Sequence, residues 1–127
     1  MTIRAGLSSN AAGHHALIAN GVAEALVNSG SAREAGEAGF GPHELLEAAL
    51  AGCAAITLRI AAEKYGLALH EAAVTVTLER GDDDAVFTCE VELTGELSAA
   101  DRRRLVATVA RCPVAKTLVK QVKVIAR

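Results

Sequence analysis

A chain of 127 residues that is 51% hydrophobic but only 2% aromatic, with no tryptophan, holds apolar material for one folded domain whose core is Ala, Val, Leu and Ile, far from the composition of a disordered segment. The formal charge is −2, from 13 Lys and Arg against 15 Asp and Glu, and no basic cluster is interleaved with aromatics, which argues against a nucleic-acid partner. The opening MTIRAGLSSNAAGHHALIAN lacks a basic segment followed by an apolar one, so no secretory signal is expected and the protein reads as cytoplasmic.

The first third predicts a meander of strands. Thr2 to Leu7 can form a short strand, Ser8 to Gly13 is rich in turn residues, and His15 to Asn20 predicts a second strand. Asn20-Gly21 is a two-residue hairpin signal and Val22 to Val27 the returning strand. His14 and His15 are adjacent, so on a strand they face opposite ways and cannot share a metal as neighbours. Asn28 to Gly41, NSGSAREAGEAGFG, has no periodicity and reads as a loop or lid whose one cation is Arg33.

Pro42 to Tyr65, PHELLEAALAGCAAITLRIAAEKY, predicts a long helix. Pro42 fits the first helical position, Glu44 and Glu47 place negative charge near the positive end of the dipole, and Gly66 fits the residue after the C-cap. Two apolar stripes run along it: Leu45, Ala49, Cys53, Ile56 and Ile60, and Leu46, Leu50, Ala54, Thr57 and Ala61. A helix apolar on two faces is expected to be buried. Its uncharged stretch, Ala48 to Leu58, is 11 residues, short of the roughly 20 that cross a bilayer, which predicts a core helix and no membrane partner.

After Gly66 the pattern changes to period two. Val74, Val76 and Leu78 face one way, and Phe87, Cys89, Val91 and Leu93 alternate with polar residues beyond the turn Gly81 to Asp84, which predicts a hairpin with one buried face. Ser98 with Asp101 three residues on predicts an N-cap, Arg102 to Ala110 a helix with a solvated arginine run, and Cys112-Pro113 a break. Val114 to Val119 can resume a helix, and Gln121 to Ala126 alternates as a closing strand.

Three cysteines in a cytoplasmic chain are thiols rather than a disulfide framework. Cys89 reads as a sheet-core residue. Cys53 is either a small core residue or a reactive thiol. Cys112 either caps a helix junction or is activated by the unpaired N–H groups that follow Pro113. Cys53 and Cys112 are 59 residues apart, so no CxxC or zinc spacing exists and any pairing must come from the fold.

PHELLEAALAGCAAITLRIAAEKYGLAL followed downstream by RCPVAKTL resembles the OsmC/Ohr family of thiol-dependent peroxide reductases. The resemblance covers Gly39 to the C-terminus, and the N-terminal strands by layout. In that family a cysteine within P-x-x-L-L-x-A-A-x-A-x-C attacks an organic hydroperoxide and a cysteine in a C-P context resolves it. The resemblance therefore implies an α+β fold of antiparallel sheets on a central helix, one OsmC-like domain over 1–127, and an intertwined homodimer.

It further implies that Cys53 is the peroxidatic and Cys112 the resolving cysteine, joined in a disulfide during turnover, with Arg33 as the arginine that stabilises the thiolate. No cofactor or metal is implied; the partners it suggests are an organic hydroperoxide and a dithiol reductant of the lipoyl type. One position departs from the family pattern: His43 stands where a glutamate directly follows the proline, which leaves a redox-sensing or binding protein with little turnover as the alternative. Residue 43 and Cys53 are also about 15 Å apart along one helix, so a site using both needs two chains.

Overall fold

The computed structural model describes residues 2–7, 14–29 and 38–127, and the chain divides into two compact units, Met1–Leu46 and Glu47–Arg127. In the first, β1 (Arg4–Gly6), β2 (His15–Ala19) and β3 (Glu24–Asn28) form an antiparallel sheet in chain order, with Leu17 opposite Leu26 and Ala19 opposite Glu24. The connection is four residues long instead of two. The Asn20 side-chain oxygen accepts from the Val22 and Ala23 amides at 2.9 and 2.8 Å, and the Asn20 N–H donates to the Ala23 carbonyl at 3.1 Å. An asparagine that satisfies two loop amides favours the wider turn over the tight hairpin, so β3 starts at Glu24 rather than Val22.

Asn28, 2% exposed, then organises the approach to the long helix. Its side-chain amide donates to the Ala38 carbonyl at 2.8 Å, and its backbone N–H donates to Phe40 at 2.8 Å while Phe40 donates to Leu26 at 2.9 Å. Between them Gly39 has φ +120, and a Cβ there would stand 3.1 Å from the Leu26 oxygen, so this crossing requires glycine.

Helix α1 (Pro42–Tyr65) has the predicted bounds. It closes in a Schellman motif: Gly66 at φ +65 donates to Glu63 at 3.2 Å and Leu67 donates to Ala62 at 2.8 Å. In the second unit β4 (Ala68–Arg80) and β5 (Ala85–Glu96) form a long antiparallel hairpin, followed by α2 (Ala99–Val109) and α3 (Pro113–Leu118). The predicted inward faces hold: Val74, Val76, Phe87, Cys89, Val91 and Leu93 pack on a core of Leu50, Ala54, Leu58, Ala62, Leu105 and Val109. The Ser98 hydroxyl caps α2 by accepting from the Asp101 amide at 3.0 Å.

Two polar side chains of α1 tie it to β4. The Glu47 carboxylate accepts the Leu78 amide at 2.8 Å, and Arg59 donates to the Leu69 and His70 carbonyls at 2.8 and 3.0 Å. β4 has one strand neighbour, so these contacts satisfy backbone groups on its open edge. Glu47 thus serves a strand rather than the helix dipole. By length and mean hydropathy α1 would also pass for a membrane span; in this unit two of its charged residues, Glu47 and Arg59, are engaged with a strand and one of its stripes lies in the core.

Two expectations fail within the chain. Only the Leu50–Ala54–Leu58–Ala61 side of α1 is buried, while Ile56 and Ile60 are 64% and 58% exposed, because this chain supplies apolar cover for one stripe. Gln121 to Ala126 forms no strand and leaves Val122, Val124 and Ile125 exposed: a strand needs a hydrogen-bonding neighbour, and none lies beside it among the described residues. The core assignment predicts that Leu58→Ala lowers unfolding free energy by about 2–5 kcal/mol, whereas Val106→Ala on the exposed side of α2 costs less than about 1 kcal/mol, as measured by urea denaturation.

Candidate thiol site

Cys53 lies half-buried in the middle of α1, beside the buried Ala54. Cys112 arrives from the far end of the chain. Pro113 pushes its predecessor into an extended conformation, φ −65 and ψ 155, which makes Cys112 the N-cap of α3 and turns its side chain into the core at 0% exposure. Cys53 packs against the core that encloses Cys112, near enough to raise the Cys112 thiol. Both remain free, as does Cys89.

The environment of Cys112 decides between its two sequence-level readings. Burial pushes its thiol up, and the neighbouring Cys53 raises it further, as hydrogen-bond acceptor and as like charge. The amides of Ala115 and Val114 pull the other way without closing a capping hydrogen bond to the sulfur. The expected helix-terminus activation is therefore present in kind but outweighed: partial charges on two amides do not offset removal of a thiolate from water. Cys112 therefore holds its proton more tightly than a free thiol.

Cys89 sits opposite Val76 on the inner face of the hairpin, where burial alone raises its thiol. Arg33 falls outside the described residues. His43 is exposed in the first turn of α1. One turn along the chain from Cys53 and from Cys112 a recess of about 420 Å³ opens between Leu50, Val86, Phe87, Ala115, Leu118 and Val119. Sequence reading missed it, because its walls come from α1, the start of β5 and the end of α3, which no local period connects. Among the described residues no three His, Cys, Asp or Glu side chains gather as a metal site.

A long helix with a mid-helix cysteine, packed with an enclosed Cys-Pro thiol against a two-stranded antiparallel sheet, defines an α+β protein. The chain belongs to the OsmC-like protein family, which it matches over residues 34–127. Its fold is similar to that of an OsmC-like protein from Mycoplasma pneumoniae, at 19% identity and TM-score 0.76 over 92% of this chain and 85% of that one. It is also similar to an organic hydroperoxide resistance protein OsmC from Legionella pneumophila, at 21% identity and TM-score 0.69 over 93% and 88%, and to the organic hydroperoxide resistance protein OhrB of Bacillus subtilis, at 23% identity and TM-score 0.64 over 94% and 90%. No curated protein matches the chain by sequence.

The raised thiols give a pH dependence with a definite sign. Cys112 and Cys89 hold their protons more tightly folded than unfolded. Their stabilising contribution is therefore complete below the unfolded thiol value of about 8.5 and is lost as pH rises through the folded values. Urea midpoints under reducing conditions are expected to fall between pH 7.5 and 9.5, and Cys112→Ala, less stable at both, should show a smaller fall. An equal fall in both proteins would contradict this account of Cys112.

Proposed function

We propose that this protein is a thiol-dependent peroxidase that reduces organic hydroperoxides to alcohols, with Cys53 as nucleophile and Cys112 as resolving thiol. The observation that supports this reading is that Cys53 packs against the core that encloses Cys112, whose thiol is pushed up by burial and by Cys53. The Cys53 thiolate attacks the distal oxygen of ROOH; the O–O bond breaks, the leaving alkoxide takes a proton to become ROH, and Cys53 becomes a sulfenic acid. The Cys112 thiol condenses with it, water leaves, and a disulfide forms. A dithiol, in this reading a lipoyl-type one, then returns two electrons and two protons.

The chain's residues fit these roles. After attack, the packing of Cys53 against the core that holds Cys112 keeps the resolving sulfur near. The apolar recess suits the hydrocarbon part of an organic peroxide better than hydrogen peroxide. Arg33 would stabilise the Cys53 thiolate by its fixed charge. The whole chain is taken as one OsmC-like domain working in the cytoplasm, where its three free thiols suit a reducing compartment.

A homodimer belongs to the same proposal. The exposed Ile56 and Ile60 on α1, with Val122, Val124 and Ile125 at the C-terminus, form apolar surface that a second chain would cover, in an interface above about 2,000 Å². Sedimentation velocity at micromolar concentration should show a dimer; a folded monomer would contradict it. His43 in place of a glutamate supports a second reading, a redox sensor oxidised once and slowly.

Peroxide consumption separates the readings. With cumene hydroperoxide and dihydrolipoamide, wild-type protein should turn over many times and Cys53→Ser not at all. Cys112→Ser should yield one sulfenic acid at Cys53 without a bridge, and Arg33→Ala should slow the first step by about tenfold, the equivalent of about 1.4 kcal/mol in the barrier. Stoichiometric oxidation without recycling favours the sensor, and sulfenic acid at Cys112 in the Cys53→Ser protein inverts the assignment.

A further inference from the structure

Charge is divided unevenly along this chain. From Leu97 to Arg127 it carries eight of the 13 Lys and Arg residues but one of the 15 Asp and Glu, Asp101. Two of the eight are engaged: Arg102 donates to the Leu93 and Gly95 carbonyls at 2.8 and 3.3 Å, and the Arg104 guanidinium lies 3.4 Å from the Tyr65 ring centroid. Arg103, Arg111, Lys116, Lys120, Lys123 and Arg127 are all exposed and make no ion pair among the described residues. Like charges left unneutralised repel one another, so this arrangement does not help the fold.

The other side of the same unit has the opposite sign. Glu71, Glu79, Glu90, Glu92 and Glu96 are exposed on β4 and β5, whose alternate residues pack inward on the core together with Leu105 and Val109 of α2. The acidic outer face of the hairpin and the outward face of α2 thus point away from a shared core. Cys112 belongs to the basic side. Arg111 precedes it, and the Lys116 amide donates to its carbonyl at 3.0 Å, so two cations flank the resolving cysteine within one helical turn.

We propose that this basic surface of α2 and α3 docks an acidic protein carrying the dithiol that reduces the Cys53–Cys112 bridge. The inference rests on the two-cysteine cycle proposed above and adds the partner's charge. One partner thiolate attacks a bridge sulfur, giving a mixed disulfide and releasing the other cysteine, which takes up a proton. The partner's second thiol then attacks its own bridged sulfur, so two electrons and two protons pass to this chain and the partner leaves as a disulfide. Cations spread from the first turn of α2 to beyond α3 exceed what a small dithiol would touch. They steer a protein-sized anion over roughly the 10 Å Debye length at 0.1 M salt, while the glutamates of the hairpin turn it away from the wrong face. No aromatic residue lies between Leu97 and Arg127 to stack on bases, which disfavours a nucleic acid.

The test uses full-length protein oxidised with diamide, so that bridge formation does not depend on peroxide turnover. Two synthetic peptides of equal length supply the dithiol, Cys-Gly-Pro-Cys flanked by four glutamates or by four lysines. Each rate is normalised to that peptide's rate with uncharged hydroxyethyl disulfide, which removes differences in thiol ionisation. At about 20 mM salt the glutamate peptide is expected to reduce the bridge about tenfold faster than the lysine peptide, with the advantage gone by about 300 mM as screening takes over. Arg111→Glu/Lys116→Glu/Lys120→Glu should reverse the preference without changing reduction by dithiothreitol, and the glutamine versions should abolish it if the charge-reversed protein does not fold. Equal, salt-independent rates for both peptides overturn the docking surface and leave the peroxidase reading standing. Charge-reversed protein that sediments as monomer while the wild type is a dimer reassigns the surface to a second copy of this chain, and also overturns it. Failure of diamide to bridge Cys53 and Cys112 removes both proposals; bridging and charge preference without peroxide turnover remove the peroxidase alone.

Discussion

The thiol site depends on how α1 is held against its hairpin. Glu47 and Arg59 bond backbone groups of β4 from positions more than three helical turns apart, and Leu50, Ala54 and Leu58 seal the stripe between them. A helix fixed at two points along one strand can neither slide nor roll without exposing a carboxylate-bound amide or opening the core. Cys53, midway between those points, therefore has a fixed depth, and Cys112 meets it because Pro113 ends one helical path and starts another at that level.

The chemistry follows from a contest between burial and local dipoles. Cys112 has the helix-start amides that commonly activate a cysteine, yet it is completely enclosed, and enclosure dominates. A resolving thiol is better kept as S–H until a sulfenic acid appears beside it, since a second thiolate in the same small volume would repel the first. The feature that weakens Cys112 as a nucleophile is thus what suits it to be the second cysteine of a pair.

Legibility in the sequence followed the range of the interaction. Pro42, Gly66, Ser98 and Pro113 act on their immediate neighbours, and each marks an element end where its chemistry predicts one. The alternation of β4 and β5 likewise gave the buried face, including Cys89. That Cys53 and Cys112 share one core was available only through resemblance, because no periodicity spans the 59 residues between them. The Asn20 turn was misread because a side chain, not the backbone type, set its length. Glu47 was credited to the helix dipole because nothing local reveals a strand edge beside it. The Ile56–Ile60 stripe of α1 and the alternating C-terminus are legible as apolar surface, but what covers them is not encoded within reach of this chain's own strands.

The account stands or falls on which sulfurs join when peroxide arrives. The direct measurement is mass-spectrometric mapping of the disulfides formed by the reduced protein on one equivalent of cumene hydroperoxide. The account predicts a bridge between Cys53 and Cys112 within a single chain, with Cys89 recovered as free thiol. A bridge to Cys89, or oxidation that leaves Cys53 reduced, would contradict it.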